Sequence, residues 1–367
     1  MAFKKLFILI CMLCSNLITF SQNAFFSKIY IEPAYYYGSV LPQTNYIGYL
    51  LQDHIQAFQL NIGINTNGSK KWHKYLNYPR LGLGYYHSNL GNNNVFGFLN
   101  SYYGTVAIKT FRPKYFINIE HNLNAGIAYV TMKYDIYKNS FDIPLGSHYN
   151  FYLQYALVFP IKLTKTIEIY GGACFTHISA ANIIEPNHGL NMALIRLGSR
   201  FNFKPVEYKN EGEVQTHYDT IRHLFTIVVA SGIKQYSRYT NDKYWVYAIT
   251  PEYCYKISPV FGMGGGIDLY YDNSVKPYLL EYKNEKARLN QLLHSTAHLT
   301  FQLYIGQLSF LVQPGCYIYK NFDMYQESSY KFGFRYQFLE HFSAGILLKT
   351  HWLAQADVLE FGISCTL

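Results

Sequence analysis

The chain has 367 residues and a net charge of +9; it is 14% charged, 18% aromatic and 50% hydrophobic, with 38 tyrosines. So low a charged fraction is unusual for a soluble domain, yet beyond the first 20 positions no run of about 18 apolar residues occurs, which excludes membrane-spanning helices. The basic balance fits nucleic acid or an anionic, phosphate-bearing membrane surface.

The N-terminus decides between those partners. Lys4 and Lys5 precede an apolar stretch, Leu6 to Leu13, and Thr19-Phe20-Ser21 offers small residues at the two positions a signal peptidase reads. Residues 1–21 are expected to be a signal peptide cleaved before Gln22, so the chain is exported and nucleic acid is not its partner. Cys14 follows Leu13, where a lipobox wants Gly or Ala, so a lipid anchor is not expected. Cys11 and Cys14 leave with the signal. Cys174, Cys254, Cys316 and Cys365 are widely spaced without a CxxC and read as small apolar fillers.

From there period two dominates. Strands are expected near 27–37, 54–65, 78–88, 95–110, 115–133, 147–159, 166–179, 190–204, 222–237, 243–257, 260–273, 293–304, 307–320, 328–338, 342–351 and 356–367. Phe58, Leu60, Ile62 and Ile64 oppose Gln59, Asn61 and Asn65. His87 and Ser88 in YYHSN are adjacent, so they point to opposite faces and make no catalytic pair. The polar stretch 205–221 divides the chain roughly in half. Gly262 to Gly266 has no GK[ST] after it and reads as tight strand curvature, not a phosphate loop. Lys276, Lys283 and Lys286 lie in the connection 274–292, read as a solvated loop. His294 and His298 share a polar face without a third ligand, so no metal site is expected. Near the end, Tyr330, Phe332, Phe334, Tyr336 and Phe338 oppose Lys331, Arg335 and Gln337.

Many of these segments exceed the mode of about 5 or 6 residues for strands in soluble sheets. The tyrosine excess suits the aromatic girdles of a membrane barrel. The expected fold is therefore all-β, a single transmembrane antiparallel up-and-down barrel of about 14–16 strands over residues 22–367. It would sit in the outer membrane of a Gram-negative bacterium, its N-terminus in the periplasm. Arg196, Arg200, Lys331 and Arg335 would line a pore or form a packed polar core.

Odd-numbered strands then run outward, so the seventh, 166–179, ends at the cell surface. Parity sets His177 and Ser179 with Ile167, Ile169, Ala173 and Phe175 on its lipid side, and Asn191 with Ala193, Ile195 and Leu197 on the lipid side of the next strand. A histidine two residues from a serine on one face can act as its general base, and a third group can hold the other ring nitrogen.

The pattern His177-x-Ser179, then Pro186-Asn187-x-Gly189 and Asn191, resembles the lipid A 3-O-deacylase (PagL-like) and acyloxyacyl hydrolase family of outer-membrane barrels. The upstream NSFDIPLGSHYN, 139–150, resembles a segment of its longer members, and the likeness runs over roughly 80–205. The resemblance implies an esterase that removes an acyl chain from lipid A or another outer-leaflet lipid. Ser179 would be the nucleophile, His177 the base and Asn191 the orienting group, with no metal or cofactor. Two positions depart from the family: Ala180 stands where an oxyanion asparagine is usual, and Asn191 replaces the acid. Asn182 or the N–H groups of Ala180 and Ala181 are expected to hold the oxyanion; Glu185, in the loop, is a poor substitute acid. The rivals are a non-catalytic porin or lipid-transport barrel, and a secretion component docking through 205–221.

Overall fold

The computed structural model describes residues 28–112, 118–208, 222–322, 324, 327–352 and 355–367. The signal segment and residues 209–221 of the polar connection lie outside the described residues. The first eight strands are β1 (Ile29–Leu41), β2 (Ile55–Asn65), β3 (Arg80–Asn89), β4 (Phe98–Lys109), β5 (Glu120–Val130), β6 (Tyr149–Lys162), β7 (Ile167–Ser179) and β8 (Leu190–Asn202). The next eight are β9 (His223–Gln235), β10 (Lys243–Ser258), β11 (Phe261–Asp272), β12 (Leu293–Ile305), β13 (Leu308–Tyr319), β14 (Ser328–Gln337), β15 (Phe342–His351) and β16 (Gln355–Thr366). Short helices occupy connections: α1 (Asn45–Leu50), α2 (Lys71–Tyr75), α3 (Val275–Lys283) and α4 (Leu289–Leu292). The connection 274–292 is thus largely helical, not the plain loop expected of it.

All sixteen expected strands are present, but their closure corrects the single barrel of 14–16. β1 pairs with β8, from Tyr30 opposite Asn202 to Leu41 opposite Asn191, and β9 pairs with β16. Two closed rings of eight result. Alternation marks which face of a strand is polar; it does not mark the strand with which the first one pairs.

The interiors show what each ring satisfies. Eight strands enclose a space that side chains just fill. In the first barrel Glu32, Glu120 and Glu168 meet Arg80, Arg196 and Arg200, three charges of each sign. Arg200 donates to Glu32 at 2.6 Å, to Glu168 at 2.5 Å and to Glu120 at 3.1 Å; Arg196 pairs with Glu32, and Arg80 with Glu120. Asn124 Nδ2 donates to Gln154 Oε1 at 2.8 Å, and Gln154 Nε2 to Thr176 Oγ1 at 2.9 Å. In the second barrel Asp268 accepts from Lys331, Thr250 and Thr296, and lies 3.0 Å from His298 Nδ1. Asp357 accepts from Lys234 at 2.6 Å and Lys349 at 2.8 Å. His294 stacks on Tyr270 at 4.8 Å between ring centroids. The arginines and lysines named as lumenal from sequence therefore belong to packed polar cores. A cavity of about 20 Å³ beside Glu252, Gln313 and Arg335 has room for one water.

The two compact units divide slightly differently from the barrels. The connection 132–148 and the segment Ser179–Leu190 belong to the unit that contains β9–β16. The four described cysteines beyond the signal are unbridged.

Arg200 holds three buried carboxylates, and an uncompensated buried charge is costly. Arg200→Met is expected to destabilise the first barrel by about 3–5 kcal/mol, read from its urea unfolding in detergent. An unchanged midpoint would show that the network contributes nothing net.

Candidate functional site

On β7, Cys174, Thr176 and Ile178 turn inward and are buried, while Ala173 and Phe175 are exposed on the outer face; His177 and Ser179 follow them in parity. On β8, Ala193, Ile195 and Leu197 are exposed and Asn191 continues their row. The hairpin brings His177 Nδ1 to 2.7 Å from Asn191 Oδ1. When the amide oxygen accepts from Nδ1–H, the lone pair is left on Nε2, the form in which imidazole can take a proton. An amide is less selective than a carboxylate, because its NH₂ end can instead donate to Nδ1. Ser179 lies two residues beyond His177 on the same strand and is 6% exposed.

The segment after Ser179 is tightly turned. Ala181 and Asn182 have φ of 51° and 64°, and Gly189 has 70°. The Ala180 N–H donates to Asn187 Oδ1 at 2.7 Å, and the Asn187 N–H donates to Glu185 Oε2 at 3.1 Å. Pro186 follows a cis peptide. Within the same unit Asn182 Nδ2 donates to Asp357 O at 2.9 Å, and Asn182 O accepts from the Gln235 N–H at 3.0 Å. Of the expected oxyanion donors, the Ala180 N–H is taken by Asn187, and one N–H of the Asn182 amide by Asp357 O. Glu185 is held at the turn by the Asn187 N–H, and burial pushes its pKa up to about 7.

The segment 139–150 packs on this turn. Gly189 N–H donates to Pro144 O at 2.9 Å, and a Cβ on Gly146 would come within 2.5 Å of Pro186 O. Asp142 in that segment is fully buried, and neither carboxyl oxygen has a hydrogen-bond partner among the described residues. Desolvation pushes its pKa up to about 8, against a weaker downward pull from the nearby Leu145 N–H, whose own bond goes to the Asp142 backbone O at 3.2 Å. Sequence reasoning singled out the segment but not this carboxylate, because burial of a lone acid in a loop leaves no periodic signature. It also passed over Ser39 and His54, whose hydroxyl and Nδ1 lie 2.9 Å apart. Ser39 shares parity with Tyr35, Tyr37 and Leu41, the one available signal.

The other candidates fall as follows. His87 is exposed and Ser88 buried, on opposite faces of β3. A Cβ on Gly264 would collide with the backbone of β10, so the glycines of GMGGG serve close strand approach. Lys276 Nζ donates to Asn273 Oδ1 at 2.7 Å.

Closed antiparallel barrels with apolar exteriors and charged, internally paired interiors define an outer-membrane β-barrel protein. One family model, Lipid A 3-O-deacylase (PagL), matches residues 56–200, and a second, Acyloxyacyl hydrolase, C-terminal domain, matches residues 223–367. The chain belongs to this PagL-like family, one model falling on each barrel. Similar solved structures include Neisserial surface protein A, 10% identical, over 47% of this chain and 96% of that one, with a TM-score of 0.33. A mutant of Rh. blastica porin is 9% identical over 92% and 100% of the two chains, with a TM-score of 0.18. CdiB from Acinetobacter baumannii is 11% identical over 93% and 60%, with a TM-score of 0.19. No curated protein matches by sequence.

Asp142 generates a pH prediction. Its folded pKa lies above the ordinary 3.8, so its stabilising contribution is complete below that value and is lost as pH rises through about 8. Amide exchange in 139–150, corrected for the intrinsic rate, is expected to quicken over that interval in the parent. Asp142→Asn should flatten the profile; an identical profile in both would remove the carboxyl from the account.

Proposed function

We propose that the protein is an outer-membrane esterase that removes an ester-linked acyl chain from lipid A by a serine–histidine mechanism on the lipid-facing wall of the first barrel, at the outer leaflet. The observation that carries this reading is the 2.7 Å bond between His177 and Asn191 on the outward row of β7 and β8, with Ser179 next in that row. Family membership supplies the substrate class.

In this mechanism His177 Nε2 takes the Ser179 proton as Oγ attacks the ester carbonyl. The resulting imidazolium returns a proton to the leaving alkoxide, which frees the deacylated lipid. Water, deprotonated by the same nitrogen, then cleaves the acyl-serine and releases the fatty acid. Asn191 keeps the ring oriented and its Nδ1 protonated. The Ala181 N–H, which donates to none of the described residues, takes the oxyanion role in place of Ala180 and Asn182. Asn187 holds the turn that presents it.

A porin reading needs an open lumen, whereas the charged clusters inside both barrels are buried and ion-paired. The secretion reading relied on 205–221, most of which lies outside the described residues.

Mass spectrometry of lipid A incubated with the detergent-folded protein tests the proposal. The parent should remove one acyl chain and Ser179→Ala none; intact lipid A with both would sink the esterase reading. Asn191→Asp restores an acceptor-only partner for His177 and should raise the rate about 10–100-fold, since exchanging that acid for its amide in a serine triad costs about 10⁴. A slower Asn191→Asp enzyme would show that the amide orients the ring equally well.

A further inference from the structure

The outward rows of β1–β4 carry polar side chains at the end where β1 joins β2 and β3 joins β4. Ser39 Oγ and His54 Nδ1 lie 2.9 Å apart. The Gln56 N–H donates to Asn89 Oδ1 at 2.8 Å, and Asn89 Nδ2 donates to His54 O at 3.1 Å. His87 Nδ1 lies 2.9 Å from Asn100 Oδ1. The connection that carries His54 is fastened: the Gln52 and Asp53 N–H groups both donate to Gly91 O, at 2.9 and 3.0 Å, and Asn92 Nδ2 donates to Leu50 O at 2.7 Å.

Three features give this belt a ligand. First, it is continuous with the candidate site: Leu41 pairs with Asn191 and Ser39 with Ala193, so the row passes from His177 through Asn191 to Ser39 on three adjoining strands. Second, aromatic rings are interleaved with the hydrogen-bonding groups: Tyr37 packs on His54 at 5.2 Å, and His87 stacks on Phe98 at 6.0 Å. Ring faces take the C–H face of a sugar while amides and hydroxyls take its hydroxyls. Third, the belt holds no lysine or arginine, so it suits a neutral sugar and not a phosphate, which wants cations. The second barrel is an internal control. At the corresponding end, below Lys243 and Gln235 at the rim, its outward row reads Ile233 on β9, Trp245 and Tyr247 on β10, Leu269 and Tyr271 on β11, and Leu293 and Ser295 on β12. That is an ordinary aromatic girdle.

We infer that the outward belt of Ser39, His54, Gln56, Asn89, His87 and Asn100 is a docking site for the sugar head of a membrane glycolipid, which it holds beside Asn191 and His177. The inference deepens the esterase reading by locating its substrate's head, and rests on it for the identity of that substrate.

The test has two arms, run on the full detergent-folded chain and on two variants, Ser39→Ala/His54→Phe and Gln56→Leu. In the first, native mass spectrometry compares retention of lipid A with that of a phosphatidylglycerol carrying matched acyl chains. Each variant should lose about tenfold of its preference for lipid A, the worth of one or two hydrogen bonds. In the second, turnover of lipid A is divided by turnover of a short-chain nitrophenyl ester, and the same ratio should fall. Preserved preference in both variants would overturn the belt. A parent that binds lipid A with belt-dependent preference but cleaves nothing would refute the esterase and leave the docking site standing. A parent that cleaves lipid A while both variants keep its full preference would do the reverse. Heat-modifiable gel mobility reports whether each variant folds.

Discussion

An eight-stranded ring leaves an interior that side chains just fill, and this protein fills it with charge that must cancel on the spot. Glu32, Glu120 and Glu168 are neutralised by Arg80, Arg196 and Arg200 inside the first barrel. In the second, Asp268, Glu252 and Asp357 find Lys331, Arg335, Lys234 and Lys349. A substrate has no room there, and a buried ion freed to do chemistry would leave its partner uncompensated. The proposed chemistry is accordingly placed on the outer wall, where strand ends meet their connections and polar groups are tolerated.

The wall of the first barrel is shaped for that displacement. A histidine and an asparagine on adjacent strands meet because β7 and β8 are joined by one hairpin and both residues stand in outward parity. The turn between the strands is held internally by Asn187 and from outside by Pro144. Left-handed backbone at Ala181 and Asn182 re-aims the chain just after Ser179, which is how a strand end can present an N–H to an anion. Ala180 offers no side-chain donor here, and the Ala181 N–H that follows donates to none of the described residues.

The second barrel repeats the architecture with a different surface. Its interior is likewise charged and ion-paired, but its outward row at the β9–β12 end is mainly aromatic and aliphatic, with Lys243, Gln235 and Ser295 among its polar members, where the first barrel carries Ser39, His54, Gln56, Asn89, His87 and Asn100. Two different family models match, one on each barrel.

The alternation of Phe58, Leu60, Ile62 and Ile64 with Gln59 and Asn61 is a local property, so all sixteen strands and their two faces were legible in the sequence. The outward placement of His177, Ser179 and Asn191 was equally legible, since parity needs only counting along a strand. Closure was not: β1 meets β8 through pairings between residues 150 or more positions apart, Leu41 opposite Asn191 among them, and identical alternation serves one large ring or two small ones. For the same reason the engagement of the Ala180 N–H by Asn187, the burial of Asp142 and the pairing of Ser39 with His54 belong to the tertiary structure. Each depends on how a turn or a neighbouring strand lies in space, and periodicity along the chain carries no record of that.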